Sequence, residues 1–567
     1  MTISKNWRFN LVFIVVLVLS SIVLCRLFYL QISSGGYYKA MAQGQQVELS
    51  EVEGERGLVY FSNGEMLAIN IKVPYLFISP AEIEEKELTA EKLASISSKD
   101  KEYILSLMED SNSFYKIVEK ELTKEKSEEI KDLSLKGVYI GNETKRYYPN
   151  ENTASQIIGF VNNDGIGQYG VESYYNDQLK GDEVLEIKED NPYQFFFNLS
   201  SDSIDGDSLS LTIDYNIQFM AKKILNEGVE KYDAEGGNII VMNPNTGEIV
   251  AMAQSPNFDP NNYGNEETSS FKNLSTQEIF EPGSIFKPIT MSMALNEGAV
   301  TPETMHNDTL GYTQFGTFKV SNYLNKIWGE INMTQVLEGS VNTGMMFAEK
   351  ELGHTKFYEY LEKFGIFKKT GIDLAGETYS NNTEIKTALK NNTDVSFATA
   401  SFGQGIAMTP LQMISAFSVT INGGTLYKPH IVKKIGNEEI EPTIIKDDII
   451  SDKTTTEIRQ MLISVVENGF GHLAKIDGYW IGGKTGTSQV PYSSLGINKT
   501  GYSDHTWQTF MGFAPALNPQ FIVLVKLNNA TKIKTSEYSA VPMFNELAKY
   551  IIDYWQIAPD YEEDLDK

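Results

Sequence analysis

The longest apolar stretch of the chain lies close to its N-terminus. Positions 11–24 are almost entirely aliphatic, and the positively charged Lys5 and Arg8 precede them. Taken over 9–30, the stretch predicts a helix of roughly 20 residues, which is long enough to cross a bilayer. Because the positive charges come first, residues 1–8 are predicted to be cytoplasmic and the bulk of the chain extracytoplasmic.

Two alternatives for this segment fit the residues less well. A cleaved signal peptide ends in a small-residue site after a shorter apolar run, and no such site follows here. A lipoprotein would carry a small residue before its cysteine, whereas Leu24 precedes Cys25. We therefore expect an uncleaved transmembrane anchor and a single-pass protein of the cytoplasmic membrane.

Residues 31–207 have a mixed composition that predicts an elongated pedestal domain. Between 82 and 136 glutamate and lysine recur three or four positions apart, a pattern typical of exposed helices. Short apolar runs at 73–78 and 137–141 indicate strands. No candidate chemistry stands out, so we expect this region to act as a spacer.

Residues 208–556 show a different pattern of strands and helices. An alternating strand at 209–213 precedes a helix at 216–232, and two apolar strands then share the turn at 243–247. Another apolar strand at 521–527 and a helix at 539–555 close the region. Strands at both ends and helices between them predict an α+β domain, with one sheet flanked by helices. Residues 557–567 form an acidic tail.

Composition and charge exclude several function classes. The 567 residues are 41% apolar, as expected of a folded protein with more than one domain. The formal net charge of −27 would repel a phosphate backbone, so nucleic acid is not an expected partner. There is one cysteine, and the five histidines lack metal-binding spacing. No disulfide, metal site or cofactor is therefore expected.

Ser284 is the candidate nucleophile, because Lys287 follows it three positions later. On a helix the two side chains share a face, and a neutral lysine can accept the serine proton. The preceding Pro-Gly indicates a turn into the helix, where backbone N–H groups could stabilise an anion, although Pro288 removes one donor. Three other serines share the S-x-x-K pattern, so it is not specific alone: Ser98, Ser113 and Ser269.

Two later motifs make the pattern specific. Ser340 and Asn342 form an S-x-N, in which a hydroxyl and an amide could relay a proton and hold a substrate amide. A Lys-Thr-Gly-Thr motif follows at 484–487. Its lysine charge and threonine hydroxyls could bind a carboxylate. Its glycine would allow another backbone to approach closely. In this order the three motifs form the signature of the serine penicillin-recognising enzymes.

Two other functions fit the sequence less well than this signature does. Residues 478–485 match the phosphate-binding pattern G-x-x-x-x-G-K-T, but Tyr479, Trp480 and Ile481 predict a strand, and the residues after Lys484 cannot open a helix. A Ser-His-Asp hydrolase would need a G-x-S-x-G turn, which the chain lacks. Neither nucleotide binding nor a Ser-His-Asp triad is expected.

From the anchor onwards the chain resembles a class B penicillin-binding protein. Residues 54–64 are similar to a family segment, with Phe61 and Ser62 in place of an acidic–basic pair. Further blocks resemble the N-terminal module of the family at 146–149 and 165–174, and its transpeptidase domain at 370–374, 402–405 and 409–412. The resemblance implies a serine β-lactamase-like transpeptidase domain on a dimerisation or pedestal domain.

The resemblance also implies the chemistry of acylation. Ser284 would attack the D-Ala–D-Ala amide of a peptidoglycan stem peptide and form an acyl-enzyme, with Lys287 as its general base. Ser340 would pass the proton to the leaving D-Ala, and Asn342 would hold Lys287 and the substrate. β-Lactam antibiotics would bind covalently as inhibitors.

The resemblance assigns substrate binding to the third motif. Lys484, Thr485 and Thr487 would bind the terminal carboxylate, and Gly486 would keep the strand open for the peptide. Backbone N–H groups of Ser284 and Thr487 would form the oxyanion hole. An amine from a neighbouring stem peptide would then accept the acyl group.

Within the family, the S-V-N-T-G and G-Q-G-x-x-x-T-P-L-Q segments look more like the septal branch than the elongation branch. The lack of a glycosyltransferase domain before 208 implies a separate SEDS-family membrane glycosyltransferase as partner, together with other divisome proteins. An elongation-type transpeptidase, a β-lactam hydrolase or sensor, and a division scaffold stay open as alternatives.

Overall fold

The structure is a computed structural model that describes residues 7–28, 48–181, 183–188 and 205–561. The chain divides into two compact units, one of residues 1–55 and 180–206, the other of residues 56–179 and 207–567. Residues 1–6 of the predicted cytoplasmic segment and residues 562–567 of the predicted acidic tail lie outside the described residues.

The strands and helices have the following bounds. The strands are β1 (Glu48–Glu53), β2 (Val59–Tyr60), β3 (Met66–Ile78), β4 (Lys116–Glu119), β5 (Val138–Tyr147), β6 (Phe160–Val161), β7 (Gly167–Gln168), β8 (Glu183–Lys188), β9 (Leu209–Leu211), β10 (Gly236–Met242), β11 (Ile249–Ser255), β12 (Met305–Asp308), β13 (Tyr312–Phe315), β14 (Phe318–Ser321), β15 (Gly329–Asn332), β16 (Leu426–Tyr427), β17 (Val432–Ile435), β18 (Glu438–Glu439), β19 (Ile444–Lys446), β20 (Gly482–Pro491), β21 (Tyr502–Ala514) and β22 (Phe521–Asn528). The α-helices are α1 (Trp7–Phe28), α2 (Lys86–Ile96), α3 (Lys101–Leu107), α4 (Lys124–Asp132), α5 (Ser155–Ile158), α6 (Gly170–Tyr174), α7 (Asn176–Leu179), α8 (Tyr215–Tyr232), α9 (Leu274–Gln277), α10 (Lys287–Asn296), α11 (Met333–Glu338), α12 (Asn342–Leu352), α13 (His354–Lys363), α14 (Thr383–Asn391), α15 (Asp394–Ala400), α16 (Pro410–Val419), α17 (Asp452–Asn468) and α18 (Ala540–Trp555). Short 3-10 helices lie at Pro260–Asn265, Thr268–Phe271, Gly283–Phe286, Tyr323–Asn325, His472–Ala474, Tyr492–Leu495 and Ser536–Tyr538.

The smaller unit contains α1 and one strand pair. Strands β1 and β8 run antiparallel along six residue pairs. Helix α1 covers most of the segment 9–30 for which the sequence predicts an anchor. Among the helices described, none combines the length and apolar character needed to cross a membrane, so the structure does not show that anchor.

The larger unit is built around a five-stranded antiparallel sheet in the order β11-β10-β22-β21-β20. The two strands that share the turn at 243–247 therefore pair with the strands near the C-terminal end, as the sequence predicts. Alternate residues of each strand point to opposite faces. Ile239 and Val241 pack with α8 and α18, while Ile240 and Met242 join the larger cluster that contains α10 and α16. Both faces are covered, which confirms the α+β fold.

A second sheet contains strands from both predicted domains. Its order is β18-β17-β9-β2-β3-β4, with β5 paired to β3. Strand β9, which opens the predicted region 208–556, pairs in parallel with β2 and antiparallel with β17. Residues 56–179 are therefore joined to the region 208–556 by backbone hydrogen bonds between strands.

A buried carboxylate joins three of the blocks that carry the family resemblance. Glu172 accepts hydrogen bonds from Nε of Arg56 and Nε of Arg146, each at 2.7 Å. Its side chain is fully buried. A buried carboxylate is stable when both arginines pair with it, whereas the loss of one arginine leaves an uncompensated buried charge. These blocks therefore hold the N-terminal half of the larger unit together.

Two local expectations are corrected by the structure. Tyr479, Trp480 and Ile481 precede β20 rather than lying in it, because the Trp480 N–H donates to the Asp560 side chain instead of to a neighbouring strand. The charged stretch 82–136 forms α2, α3 and α4, but it also contains strand β4, which pairs with β3. Pairing with an apolar strand decides the conformation there, against the local charge pattern.

Candidate functional site

Ser284 lies in a short 3-10 turn, Gly283–Phe286, that leads into α10. Gly283 has φ +59°, and a Cβ there would lie 2.8 Å from Ser488 Cβ, so the turn needs glycine to approach β20. Pro288 occupies the first turn of α10, where its missing N–H costs nothing. Ser284 is partly exposed between buried neighbours, and its hydroxyl makes no hydrogen bond to any described residue.

Lys287 is completely buried and is held by the S-x-N motif. Its Nζ lies 2.6 Å from Ser340 O, 2.8 Å from Asn342 Oδ1 and 3.1 Å from Ser340 Oγ. Burial, together with the positive charge of Lys484, holds the pKa of Lys287 well below its usual range. A neutral amine can donate to the two carbonyl oxygens and keep its lone pair for a hydroxyl.

The hydroxyl of Ser340 contacts the amines of two lysines. Its Oγ lies 3.1 Å from Nζ of Lys287 and 3.1 Å from Nζ of Lys484. Ser340 has φ +51°, a left-handed conformation that turns the chain before α12 begins at Asn342. The Asn342 side chain is fixed in turn, because its Nδ2 donates to Ser321 O at 2.9 Å. This arrangement provides a hydroxyl bridge between two amines.

Lys484 projects from β20, the edge strand of the five-stranded sheet. It is completely buried, and burial lowers its pKa to about 7. Its Nζ also lies 3.1 Å from Thr485 O. Thr487 is exposed further along the same strand, and its Oγ1 accepts the Ser536 N–H at 3.1 Å. Among the described strands, β20 pairs with β21 alone, which leaves its other backbone edge for a ligand strand.

The structure thus gathers the predicted residues of all three motifs, although the Ser284–Lys287 hydrogen bond is not formed. Such bonds are often long before a substrate binds. The sequence predicts no role for Ser321 and Asn322, which orient the start of α12 by accepting hydrogen bonds from Asn342 Nδ2 and the Thr343 N–H. Nothing in the local sequence marks these two residues, because they come from a different hairpin.

We expect Gly486→Ala to damage the contact between β20 and the Ser284 turn. A Cβ at this position would lie 2.4 Å from Thr509 Oγ1 and 3.0 Å from Ile285 Cγ2. Overpacking of this kind costs about 1–3 kcal/mol. Thermal denaturation should show that loss, and the rate of acylation should fall with it.

Gly264→Ala is the matched control, because a Cβ there meets no atom within 4 Å. Equal stabilities of the two alanine variants would contradict the proposed close approach of β20 to the Ser284 turn.

We also expect the low pKa of the buried Lys484 to make the stability of the protein depend on pH. Its pKa of about 7 lies below the value of ~10.4 for an exposed lysine, so between these pH values the unfolded chain binds the additional proton. The contribution of Lys484 to the free energy of unfolding should therefore rise with pH, by about 1 kcal/mol per pH unit. Urea denaturation of the wild type and Lys484→Met from pH 7 to 9 measures this. A stability difference that does not change with pH would contradict it.

Comparisons with known proteins agree with this geometry. The family model for the penicillin-binding protein transpeptidase domain matches residues 237–549, and that for the penicillin-binding protein dimerisation domain matches residues 51–211. The chain is 33% identical over 541 residues to stage V sporulation protein D of Bacillus subtilis, covering 93% of this chain and 82% of the relative. It is 28% identical to the peptidoglycan D,D-transpeptidase FtsI of Escherichia coli, covering 98% and 93%. The fold is similar to penicillin-binding protein 3 of Mycobacterium tuberculosis, solved with aztreonam, at 23% identity, a TM-score of 0.69, and coverage of 90% and 98%.

Proposed function

Since this chain belongs to the class B penicillin-binding proteins, which are peptidoglycan D,D-transpeptidases, we propose that it cross-links stem peptides through an acyl-enzyme on Ser284. One observation carries the assignment of residues. Ser340 Oγ lies 3.1 Å from both lysine amines, beside the turn that presents Ser284. Two amines so close cannot both be charged easily, and the pKa of Lys287 is the one lowered by the other charge.

The proton path follows from these contacts. Neutral Lys287 takes the hydroxyl proton of Ser284 as Oγ attacks the carbonyl carbon of the D-Ala–D-Ala amide. The proton then passes through the Ser340 hydroxyl to the leaving nitrogen, the C–N bond breaks, and D-Ala departs. Asn342 keeps the Lys287 amine in place throughout. An acceptor amine then attacks the ester, the new amide forms, and Ser284 recovers its proton.

The third motif binds the substrate in this proposal. The stem peptide adds to β20 as an edge strand, and its terminal carboxylate meets Lys484, Thr485 and Thr487. Because the Lys484 amine is buried, its electrostatic attraction for the carboxylate is stronger here than it would be in water. Backbone N–H groups of Ser284 and Thr487 face the developing oxyanion. Because Gly486 has no side chain, the Ser284 turn can lie close to this strand.

β-Lactam antibiotics are proposed to acylate the same serine. The penicillin-binding protein 3 structure, a relative in fold, contains aztreonam. The lifetime of the adduct separates this function from a β-lactam hydrolase, which would release the hydrolysed drug within seconds. Persistence of the adduct over hours supports a transpeptidase.

Location and partners extend the proposal. We place the segment 9–30 in the cytoplasmic membrane, residues 31–207 in a pedestal domain and residues 208–556 in the transpeptidase domain, followed by the tail 557–567. Support comes from the apolar sequence of 11–24 and from the two family matches. The similarity to FtsI supports a septal role with divisome proteins and a SEDS-family glycosyltransferase; an elongation role is the alternative.

The test uses the full chain in detergent with a donor pentapeptide ending in D-Ala–D-Ala and an acceptor amine. We expect one D-Ala released for each new amide, and mass spectrometry should detect the peptide acyl group on Ser284. Release of D-Ala to water alone would make the protein a carboxypeptidase. No release and no acylation by penicillin would overturn the proposed function.

A further inference from the structure

A row of polar side chains crosses four of the five strands of the central sheet, β11, β10, β22 and β21. Gln254 pairs with Asn238, Asn238 with Lys526, and Lys526 with Thr509. Directly paired residues point to the same face of a sheet, so these four form one continuous line, which we call the polar row. Thr509 pairs in turn with Gly486 on β20. All four side chains are buried.

Burying such a row in a sheet is costly unless each group finds a partner. The surrounding positions of these strands are apolar, for example Ile240 and Leu524. The face of the sheet that carries the row is the one next to the Ser284 turn, because a Cβ on Gly486 would point at Ile285. The row therefore lies beneath the chain segment that leads to Ser284.

Three members of the row contact that segment in sequence order. Its contacts are Gln254 Nε2 to Lys272 O at 2.9 Å, Gln254 Oε1 to Leu274 N at 2.8 Å, Asn238 Nδ2 to Ser275 Oγ at 3.1 Å, and Lys526 Nζ to Glu278 Oε2 at 2.7 Å. At the end of the row, Thr509 Oγ1 donates to Gly486 O at 3.2 Å, where β20 meets Ile285. The row thus ties the segment 272–285 to three neighbouring strands in turn, β11, β10 and β22.

Lys526 is the central contact. It is completely buried, and the other residues of the strand from 521 to 527 are apolar. Its Nζ also contacts Asn528 Oδ1 and the rings of Phe280 and Trp507, at 5.4 and 5.8 Å from their centroids. Its partner Glu278 precedes Ser284 by six positions. The Lys526 amine is fully buried and Glu278 is partly buried, so their ion pair with its further hydrogen bonds restricts where the segment can lie on the sheet.

We propose that the polar row, with Lys526 at its centre, positions Ser284 for acylation. This inference rests on the proposed function of Ser284. Lys526 touches neither the substrate nor the reacting atoms, so it is a positioning residue. It acts through Glu278 and Phe280. The backbone of Phe280 pairs with Met408 on the other side of the segment. Small displacements of a nucleophile slow a reaction strongly without preventing binding.

The test is the acylation of full-length protein by a fluorescent penicillin, resolved into the dissociation constant of the initial complex and the acylation rate constant. For Lys526→Met we expect the acylation rate constant to fall on the order of 10- to 100-fold, with the dissociation constant unchanged. Val525→Ala is the matched control. Val525 is buried next to Lys526 on the same strand but faces the opposite cluster, with α8 and α18.

Glu278→Gln serves as a second variant, since its side chain is 21% exposed and the substitution keeps its size. It should lower the acylation rate constant too, and it should add nothing further in the Lys526→Met background. Three outcomes would overturn the inference: normal acylation by folded Lys526→Met, the same loss in Val525→Ala, or independent effects of Lys526→Met and Glu278→Gln. A wild type that is not labelled at all would instead count against the proposed function.

Discussion

Replacing Ser284 with alanine is expected to abolish covalent labelling by a fluorescent penicillin and to reduce D-Ala release by a factor on the order of 10³ or more. The reason is that the proposed acyl-enzyme forms on Ser284 Oγ, while the Ser340 and Thr487 hydroxyls of the site have other hydrogen-bond partners. Ser340 Oγ lies between two amines, at 3.1 Å from each, and Thr487 Oγ1 accepts a backbone N–H. The measurement is a gel of labelled protein together with an assay of released D-Ala.

Ser269→Ala is the control that the sequence itself provides. Ser269 has a lysine three positions later, as Ser284 does, and it also lies in a 3-10 turn. It is exposed, however, and its Oγ lies 3.4 Å from a Glu267 oxygen and makes no hydrogen bond to a lysine amine among the described residues. Ser269→Ala should be labelled like the wild type. Labelling that survives Ser284→Ala would show that a different residue is the nucleophile.

The pair Ser284 and Ser269 shows what the sequence could predict. The local S-x-x-K pattern does not distinguish them, and only the later S-x-N and K-T-G motifs favour Ser284. In the structure Ser340 Oγ lies between the amines of Lys287 and Lys484, so residues of the three motifs lie close together. The apolar strands at both ends of the region also predicted the shared sheet. These features were accessible because each depends on residue types at fixed order and spacing.

Other features depend on contacts between distant parts of the chain. The polar row needs the register of four strands, and Gln254 and Lys526 lie far apart in the sequence. A single lysine inside the apolar run 521–527 was the one local signal for it. Likewise, Trp480 looks like a strand residue, but its N–H is taken by Asp560. Tertiary partners decided both cases, so neither could be predicted from periodicity.

Lys287→Met should reduce the acylation rate constant by a factor on the order of 10² to 10⁴, the usual contribution of a general base. The methionine has a similar volume but no lone pair on nitrogen, so the Ser284 proton loses its acceptor. Initial binding of penicillin should change little, because the carboxylate site on Lys484 is kept. The measurement is again the separation of the dissociation constant from the acylation rate constant.

Lys287→Arg separates the loss of the base from the loss of a cation. Arginine stays protonated at any usable pH, so it should be as slow as methionine even though the positive charge is present. Wild-type acylation by Lys287→Met would change the identity of the general base. If Lys287→Met acylates at the wild-type rate, the base must be another group, and Lys484 is the remaining amine on Ser340 Oγ among the described residues. Since Lys484 has a pKa of about 7, it could take that role, and the double variant Lys287→Met, Lys484→Met would then lose the activity.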